Sequence, residues 1–338
     1  MNAVVITTIN EPLNVLDIVK KAHGEWLVII VGDLKTPHDK CEKICKAVRG
    51  VYLSPEKQMT LGFTHASSIP WNCYDRKNLG YLFALREGAD IIYSTDDDNY
   101  PIDDGWDEQV KLGKQTVEVV TSPSGWWNCL SLSDVKATPR GYPYWLIRDT
   151  PKYSFKKEVV DVAVQSGLWI GDPDVDAMTR IVLDPKVSSY QDREAALGKG
   201  TMCPYDSQNT FISREMLPAH MVWSGEGTSH PRFDDIYAGY VGQIIAQHHG
   251  KTIKFGKPLV IQNRNYHDLL KDLTLEMGGM GVMRVFFDVM NKLELKSQSV
   301  SENLREIVYK VCNTIPQIPK GLITQVDTWC YDLEKINK

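Results

Sequence analysis

Ile91-Ile92-Tyr93-Ser94-Thr95-Asp96-Asp97-Asp98-Asn99-Tyr100-Pro101 is the stretch on which the reading of the chain turns. Its first half is a short run of β-branched and aromatic residues, the pattern of a buried strand. Its second half is three adjacent carboxylates closed by a proline that cannot donate to a ladder. Side chains alternate along an extended chain, so Asp96 and Asp98 point one way and Asp97 the other. Three like charges at a buried strand end repel one another and are costly to desolvate unless a cation neutralises them. Hard divalent cations take oxygen ligands, and Mg²⁺ typically joins one or two carboxylates to substrate phosphates. The reading is a metal–diphosphate site at the carboxyl end of a strand, with Asp96 and Asp98 as candidate metal ligands and Asp97 as a candidate contact to the molecule bearing the diphosphate. A solvated acidic turn is the simpler alternative.

Upstream, Val4 to Thr8 reads as a first strand, Asn10-Glu11-Pro12 as a turn into a helix to about Lys21, and Trp26 to Val31 as a second strand ending at Gly32-Asp33. Strand, helix and strand in this order open an α/β sheet, in which ligands collect beyond the carboxyl ends of strands. Thr7, Thr8 and Asp33 lie at such ends and are candidates to meet a base and ribose, with turn capping as the alternative. Pro37 to Val48 predicts a helix and Val51 to Leu53 a short strand. Residues 54–75 predict a loop. A helix then starts at Asp75-Arg76-Lys77-Asn78, and its amino terminus would favour an anion, which makes Arg76 and Lys77 candidate phosphate contacts, with a solvated face as the simpler alternative.

Downstream, Val117 to Thr121 predicts a strand, and Trp126-Trp127 offers either a stacking surface for sugar or core packing. Asp172-Pro173-Asp174-Val175-Asp176 places three more carboxylates around a turn, suited to accepting from sugar hydroxyls or acting as a base. Ser224 to His230 reads as a flexible Gly-containing patch before Arg232-Phe233-Asp234-Asp235. Asp234 and Asp235 either cap the helix that follows or face substrate. Ile253 to Phe255 and Leu259 to Ile261 predict two strands. From about Leu269 the pattern is helical, with breaks at Met277 to Gly281 and around Pro316 to Lys320. The expected division is a catalytic domain over 1–268 and a helical extension over 269–338.

The bulk composition excludes several classes. A hydrophobic fraction of 43%, a charged fraction of 24% and a net charge of -5 fit a globular protein without an overall basic field for nucleic acid. No apolar run is long enough to span a bilayer. The seven cysteines form no CxxC pair, which suggests reduced thiols. The amino terminus enters a strand directly, without the basic and apolar regions of a signal peptide, so the expected location is the cytoplasm.

Five motifs stand in order: Asp96-Asp97-Asp98, Arg140-Gly141-Tyr142-Pro143, Gly167-Leu168-Trp169 with Asp172 to Ala177, Lys199-Gly200-Thr201, and Arg232-Phe233-Asp234-Asp235. This set resembles the reversibly glycosylated polypeptide family, which includes plant UDP-arabinopyranose mutases. Residues 78–101 are also similar to STELLO-like glycosyltransferases. The resemblance implies a GT-A fold, Rossmann-like in its nucleotide-sugar-binding half, a UDP-sugar donor, and Mn²⁺ or Mg²⁺ at the triple-Asp motif. It also implies that Arg140 carries the sugar reversibly, and that Trp169, Asp234 and Asp235 line the sugar-nucleotide site. Arg148 corresponds to a second family arginine, although it sits one residue further on. Where the family has a histidine after the late strand this chain has Gln262, so that either His267 or water is the candidate third metal ligand. A guanidinium is a poor nucleophile while protonated, so Arg140 would need help from Asp172, Asp174 or Asp176.

The expected function is a metal-dependent enzyme acting at the anomeric carbon of a UDP-sugar, of the mutase or self-glycosylating type. Transfer to a separate glycosyl acceptor is the alternative, followed by a non-catalytic sugar-nucleotide-binding or scaffold protein. Self-association stays open.

Overall fold

The computed structural model describes residues 1–223 and 232–337, so the stretch Ser224 to His230 lies outside the described residues. A ten-stranded sheet crosses the described chain in the order β3-β2-β1-β4-β9-β7-β6-β8-β10-β5, with a further pairing of β7 and β10. Its first half comprises β1 (Asn2–Thr8), β2 (Trp26–Gly32), β3 (Val51–Leu53) and β4 (Ile91–Thr95), all parallel. These strands are nearly continuous apolar runs because both faces are covered. The helices of this half are α1 (Asn14–Lys21), α2 (His38–Ala47), α3 (Pro55–Thr60) and α4 (Lys77–Arg86). Every residue of α4 from Lys77 to Leu85 is buried, an all-round burial that matches its lack of a polar face.

The second half is mostly antiparallel. It contains β5 (Asn99–Pro101), β6 (Gly113–Thr121), β7 (Ser154–Gly171), β8 (Ala195–Leu197), β9 (Thr210–Ser213) and β10 (Thr252–Gln262). Between these strands lie α5 (Ala177–Leu183) and α6 (Asp234–His248). Strand β4 joins the halves, pairing parallel with β1 and antiparallel with β9. Behind it Tyr93 stacks on Phe211 with ring centroids 4.2 Å apart, and Trp106 packs on both.

This is the α/β architecture expected from the sequence, with several local differences. Residues 54–75 hold α3, capped by Ser54 accepting from Lys57 N–H, and two 3₁₀ turns. Strand β7 runs for 18 residues. Its first part escapes a hydrophobic pattern because it forms an exposed ribbon with β6, and only the second part is buried. The two late strands are one, β10, whose register shifts around Pro258. The break expected at Met277 to Gly281 is absent.

The chain ends in α7 (Leu269–Met290), α8 (Val300–Thr314) and α9 (Gly321–Ile336). Residue 268 marks the passage from sheet to helices, but the hydrophobic core does not divide there: Leu304, Val308 and Trp329 belong to the same cluster as Val5 and Ile92. Asp332 of α9 accepts from the amides of Thr64 and His65 at 3.0 and 2.8 Å, and Trp329 donates to Pro218 O at 3.0 Å. All seven cysteines are free thiols. No described helix is long and apolar enough to cross a membrane.

Candidate active site

Two adjoining clefts open beyond the carboxyl ends of β1, β2 and β4. The first, of about 640 Å³, is lined by Thr7, Thr8, Asp33, Lys35, the three aspartates 96–98 and Tyr266, among others. The second, of about 610 Å³, is lined by Trp71, Arg140, Arg232, Asp234 and Asp235, among others. Asn72, Cys73, Tyr74, Asp96 and His267 line both and form the junction.

The acidic strand end is held by three different devices. Asp96 Oδ1 accepts from Lys77 Nζ at 2.9 Å and from Tyr74 OH at 2.8 Å. Lys77 is fully buried and also donates to Tyr74 OH at 2.6 Å and Ser207 O at 3.0 Å. Burial raises the Asp96 carboxyl above its ordinary range while the Lys77 charge pulls it down. Asp97 ties the loops together: Oδ2 accepts from Thr8 Oγ1 and, at 3.0 Å, from Asn10 Nδ2, and Oδ1 from Asn265 Nδ2 at 3.0 Å. Burial, with Asp96 and Asp97 beside it, pushes Asp98 up to about 7.

Asp98 is thus a carboxylate lacking the cationic partner that Asp96 has. Among the described residues no three His, Cys, Asp or Glu side chains gather to hold an ion alone. Two carboxylates facing a cleft fit a hard cation that completes its shell from a ligand's phosphates. His267, the expected third ligand, lines the junction of the two clefts with Asp96. Its Nδ1 lies 3.0 Å from Asp272 Oδ2, and burial together with Arg264 keeps its pKa below the usual histidine value.

Arg140 is the centre of the second cleft. Gly141 adopts φ 86°, and a Cβ there would meet Ile236 Cγ2 at 2.5 Å, so the turn requires glycine. The turn is pinned by Arg140 N–H donating to Asp174 O at 2.9 Å and by Tyr240 OH donating to Gly141 O. The guanidinium is gripped on two edges. Nε donates to Asp174 at 2.9 and 3.1 Å, while Nη1 and Nη2 donate to the two oxygens of Asp235 at 3.0 and 2.9 Å. Nη1 also donates to Arg232 O, and Asp206 Oδ2 lies 3.9 Å from Nη2.

Such planar bidentate pairing is specific to arginine. Burial opposes the charge, but Asp174 and Asp235 outweigh it and raise the Arg140 pKa well above its ordinary value. Conversely, burial works to raise Asp174, and the Arg140 charge overcomes this and lowers it. Asp206, buried beside Asp174, is raised strongly by desolvation and by that neighbouring carboxylate. Asp235 sits in the first turn of α6, where the helix dipole favours an anion. Asp234 precedes it and accepts from Asp235 N–H at 3.1 Å.

The sequence candidates therefore divide. Thr7, Thr8, Asp33, Asp96, Asp97 and Asp98 meet in the first cleft, and Arg140, Asp234 and Asp235 in the second, with Asp174 behind Arg140. Others are placed elsewhere. Arg76 is buried and spends its guanidinium on the carbonyls of Ala66, Ile69 and Pro70, beneath Trp71. Asp172 pairs with Arg180 at 3.1 Å and with Lys186, and Asp176 caps α5 by accepting from Thr179 N–H at 2.7 Å. Trp169 is buried within β7, and Arg148 is exposed outside both clefts. Trp126 and Trp127 pack into the core. Sequence reasoning missed Asp206 and Tyr74, which carry no motif, and offered Lys77 to phosphate or to solvent, whereas it is buried as the partner of Asp96.

The chain matches the reversibly glycosylated polypeptide family over residues 2–328. UDP-arabinopyranose mutase 3 of Arabidopsis thaliana is 26% identical over 280 residues, covering 78% of this chain and 74% of its own. UDP-arabinopyranose mutase 1 of the same plant is 28% identical over 280 residues, with the same coverage of 78% and 74%. Glucosyl-3-phosphoglycerate synthase from Mycobacterium tuberculosis has a TM-score of 0.42 at 12% identity, covering 86% of this chain and 78% of its own. The family match spans both clefts and every residue that builds them, and the chain is an enzyme belonging to the reversibly glycosylated polypeptide family.

Proposed function

We propose that this chain is a divalent-cation-dependent UDP-sugar mutase that carries the sugar reversibly on Arg140. The observation that carries the reading is the junction at Asp96, with the acidic strand end on one side and the clamped Arg140 on the other. A nucleoside diphosphate in the first cleft would bring its sugar to that junction. The family match and the mutase names of the relatives support the substrate class. Mn²⁺ or Mg²⁺ held by Asp96 and Asp98 would supply electrostatic stabilisation of the departing diphosphate.

The protein's own residues supply the rest. Asp174 fixes Nε, so the guanidinium cannot turn away from the cleft. Asp235 Oδ2, 2.9 Å from Nη2, is placed to take its proton as that nitrogen bonds to the anomeric carbon and the bond from carbon to diphosphate oxygen breaks. The proton returns when UDP attacks in reverse. The help expected from Asp172 or Asp176 falls instead to Asp174 and Asp235.

A second reading is favoured by the strength of the same clamp. An arginine held so firmly protonated serves well as a binding residue, and the sugar would then pass to a separate acceptor in the second cleft. The two readings part on Arg140→Ala. With UDP-sugar and Mn²⁺, a mutase loses all interconversion while still binding UDP. Transfer to an acceptor at the native rate by this variant would replace the mutase with a transferase.

A further inference from the structure

We infer that Asp234 is the acid–base group of the ring interconversion, protonating the ring oxygen and deprotonating the C4 hydroxyl while the sugar is carried on Arg140. The inference rests on the carrier reading above and assigns a role to a residue which that reading leaves idle.

The carboxyls around the second cleft are spoken for in turn. Asp174 holds Nε of Arg140, and Asp235 holds both Nη atoms. Asp206 is buried beside Asp174, with Oδ1 accepting from Gln208 N–H at 2.9 Å, and it does not line the cleft. Glu276 is fully buried, with one oxygen on Arg232 Nε at 3.0 Å and the other on Ala177 N–H at 2.7 Å. Asp96 on the far wall is paired with Lys77.

Asp234 is different. It lines the cleft, is half-buried, and among the described residues it accepts from backbone amides, that of Asp235 at 3.1 Å, and joins no ion pair. It shares the lining of this cleft with Arg140 and lies close enough to feel the guanidinium charge. Burial and the Asp235 charge push it up to about 7. Both of its protonation states are therefore populated at neutral pH, as two-way proton transfer needs.

The relatives are named for a pyranose substrate, and a pyranose becomes a furanose only by exchanging the oxygen on its anomeric carbon. From the Arg140 adduct, the C1–O5 bond breaks as the nitrogen lone pair forms C=N, and O5 takes the proton of neutral Asp234. The C4 hydroxyl then gives its proton to the Asp234 carboxylate as O4 bonds to C1 and the C=N electrons return to nitrogen. Atoms, electrons and protons balance, with no oxidant or reductant.

The test compares native enzyme with Asp234→Asn and Asp234→Glu on UDP-arabinopyranose and Mn²⁺, following protein mass and nucleotide-sugar ring form together. Asp234→Asn is expected to form the Arg140 adduct and release it to UDP, yet to contract the ring at least 100-fold more slowly. Asp234→Glu should recover part of the rate. Should Asn disturb the start of α6, Asp234→Ser, which keeps a cap for the Asp235 amide, carries the same comparison. Ring contraction by Asp234→Asn within a few-fold of native, or loss of the adduct together with contraction, overturns the assignment while native adduct formation keeps the carrier reading intact. A native enzyme that forms no adduct overturns the carrier reading, and this inference falls with it.

Discussion

An ammonium group with no solvent exposure lies 2.9 Å from the first carboxylate of the acidic triplet, and this pair sets the character of the site. Lys77 is the fixed cation that lets Asp96 ionise inside the protein, leaving Asp98 as the carboxyl that a mobile cation would compensate. Removing one partner of a buried pair typically costs about 3–5 kcal/mol. Lys77→Met is therefore expected to lower urea stability by about that amount, and the double variant with Asp96→Asn should recover much of it. Equal loss in the single and double variants would show that Lys77 acts through packing alone. Asp98→Asn, by contrast, should abolish the difference in UDP affinity between Mn²⁺ and chelator, measured by calorimetry, with the fold intact.

The carboxyls also set a pH dependence. Asp98, Asp206 and Asp234 have folded pKa values above those of an unfolded chain, so they add stability at low pH and lose it as pH rises through their folded values. Asp174 is lowered, so its contribution is present above about pH 4 and lost below. In chelator, the urea midpoint should rise as pH falls from 8 to 5 and then drop below about 4. Asp206→Asn should flatten the upper limb. A native midpoint flat between pH 8 and 5 would contradict these assignments.

At this scale the sequence was legible where chemistry and strand position coincide. Asp96, Asp98 and Asp235 could be nominated because a strand end and a helix start fix their directions, and Arg140 through the resemblance of Arg140-Gly141-Tyr142-Pro143 to the family motif. Asp206 and Lys77 could not, because their roles depend on a partner 32 and 19 residues away rather than on any local pattern.

Helix α7 shows how a local rule loses to packing. Gly278, Gly279 and Gly281 argue for a break, yet the helix continues from Leu269 to Met290. Gly279 is where Phe233 crosses it, since a Cβ there would lie 2.3 Å from Phe233 Cγ. The same contact sets the residue just before Asp234 and Asp235. Gly279→Ala should cost about 1–3 kcal/mol by overpacking and reduce turnover more than UDP affinity. At Gly281 an added Cβ meets nothing within 4 Å, so Gly281→Ala should be neutral or stabilise by up to about 1 kcal/mol. Thermal melts and turnover of the pair check this, and equal effects would mean that Phe233 does not transmit the change. The first part of β7 was illegible for the opposite reason: its charged ribbon with β6 buries too little to leave an apolar signature.

Across the whole molecule, the parallel half supplies one cleft, the turn before β7 and the start of α6 supply the other, and the carboxyl-terminal helices brace both. Arg232 is held by Asp272 and Glu276 of α7, at 3.6 and 3.0 Å, and Trp329 of α9 is wholly buried. The α/β class could be read from the amino-terminal strand pattern. That the helices share its core could not, because an amphipathic helix does not name the surface it covers. Residues 1–268 expressed alone should therefore bind a hydrophobic dye and melt without cooperativity. A cooperative, UDP-binding fragment would establish the helices as a separate unit.

The most direct test is the mass of the intact protein after incubation with a UDP-sugar and Mn²⁺, followed by peptide mapping. One sugar should be added, located on the peptide containing Arg140 and removed by excess UDP. Arg140→Ala should show neither the added mass nor any interconverted UDP-sugar while still binding UDP. Interconversion by Arg140→Ala at the native rate, or a sugar mapped stably to another residue, would contradict a reversible carrier at Arg140.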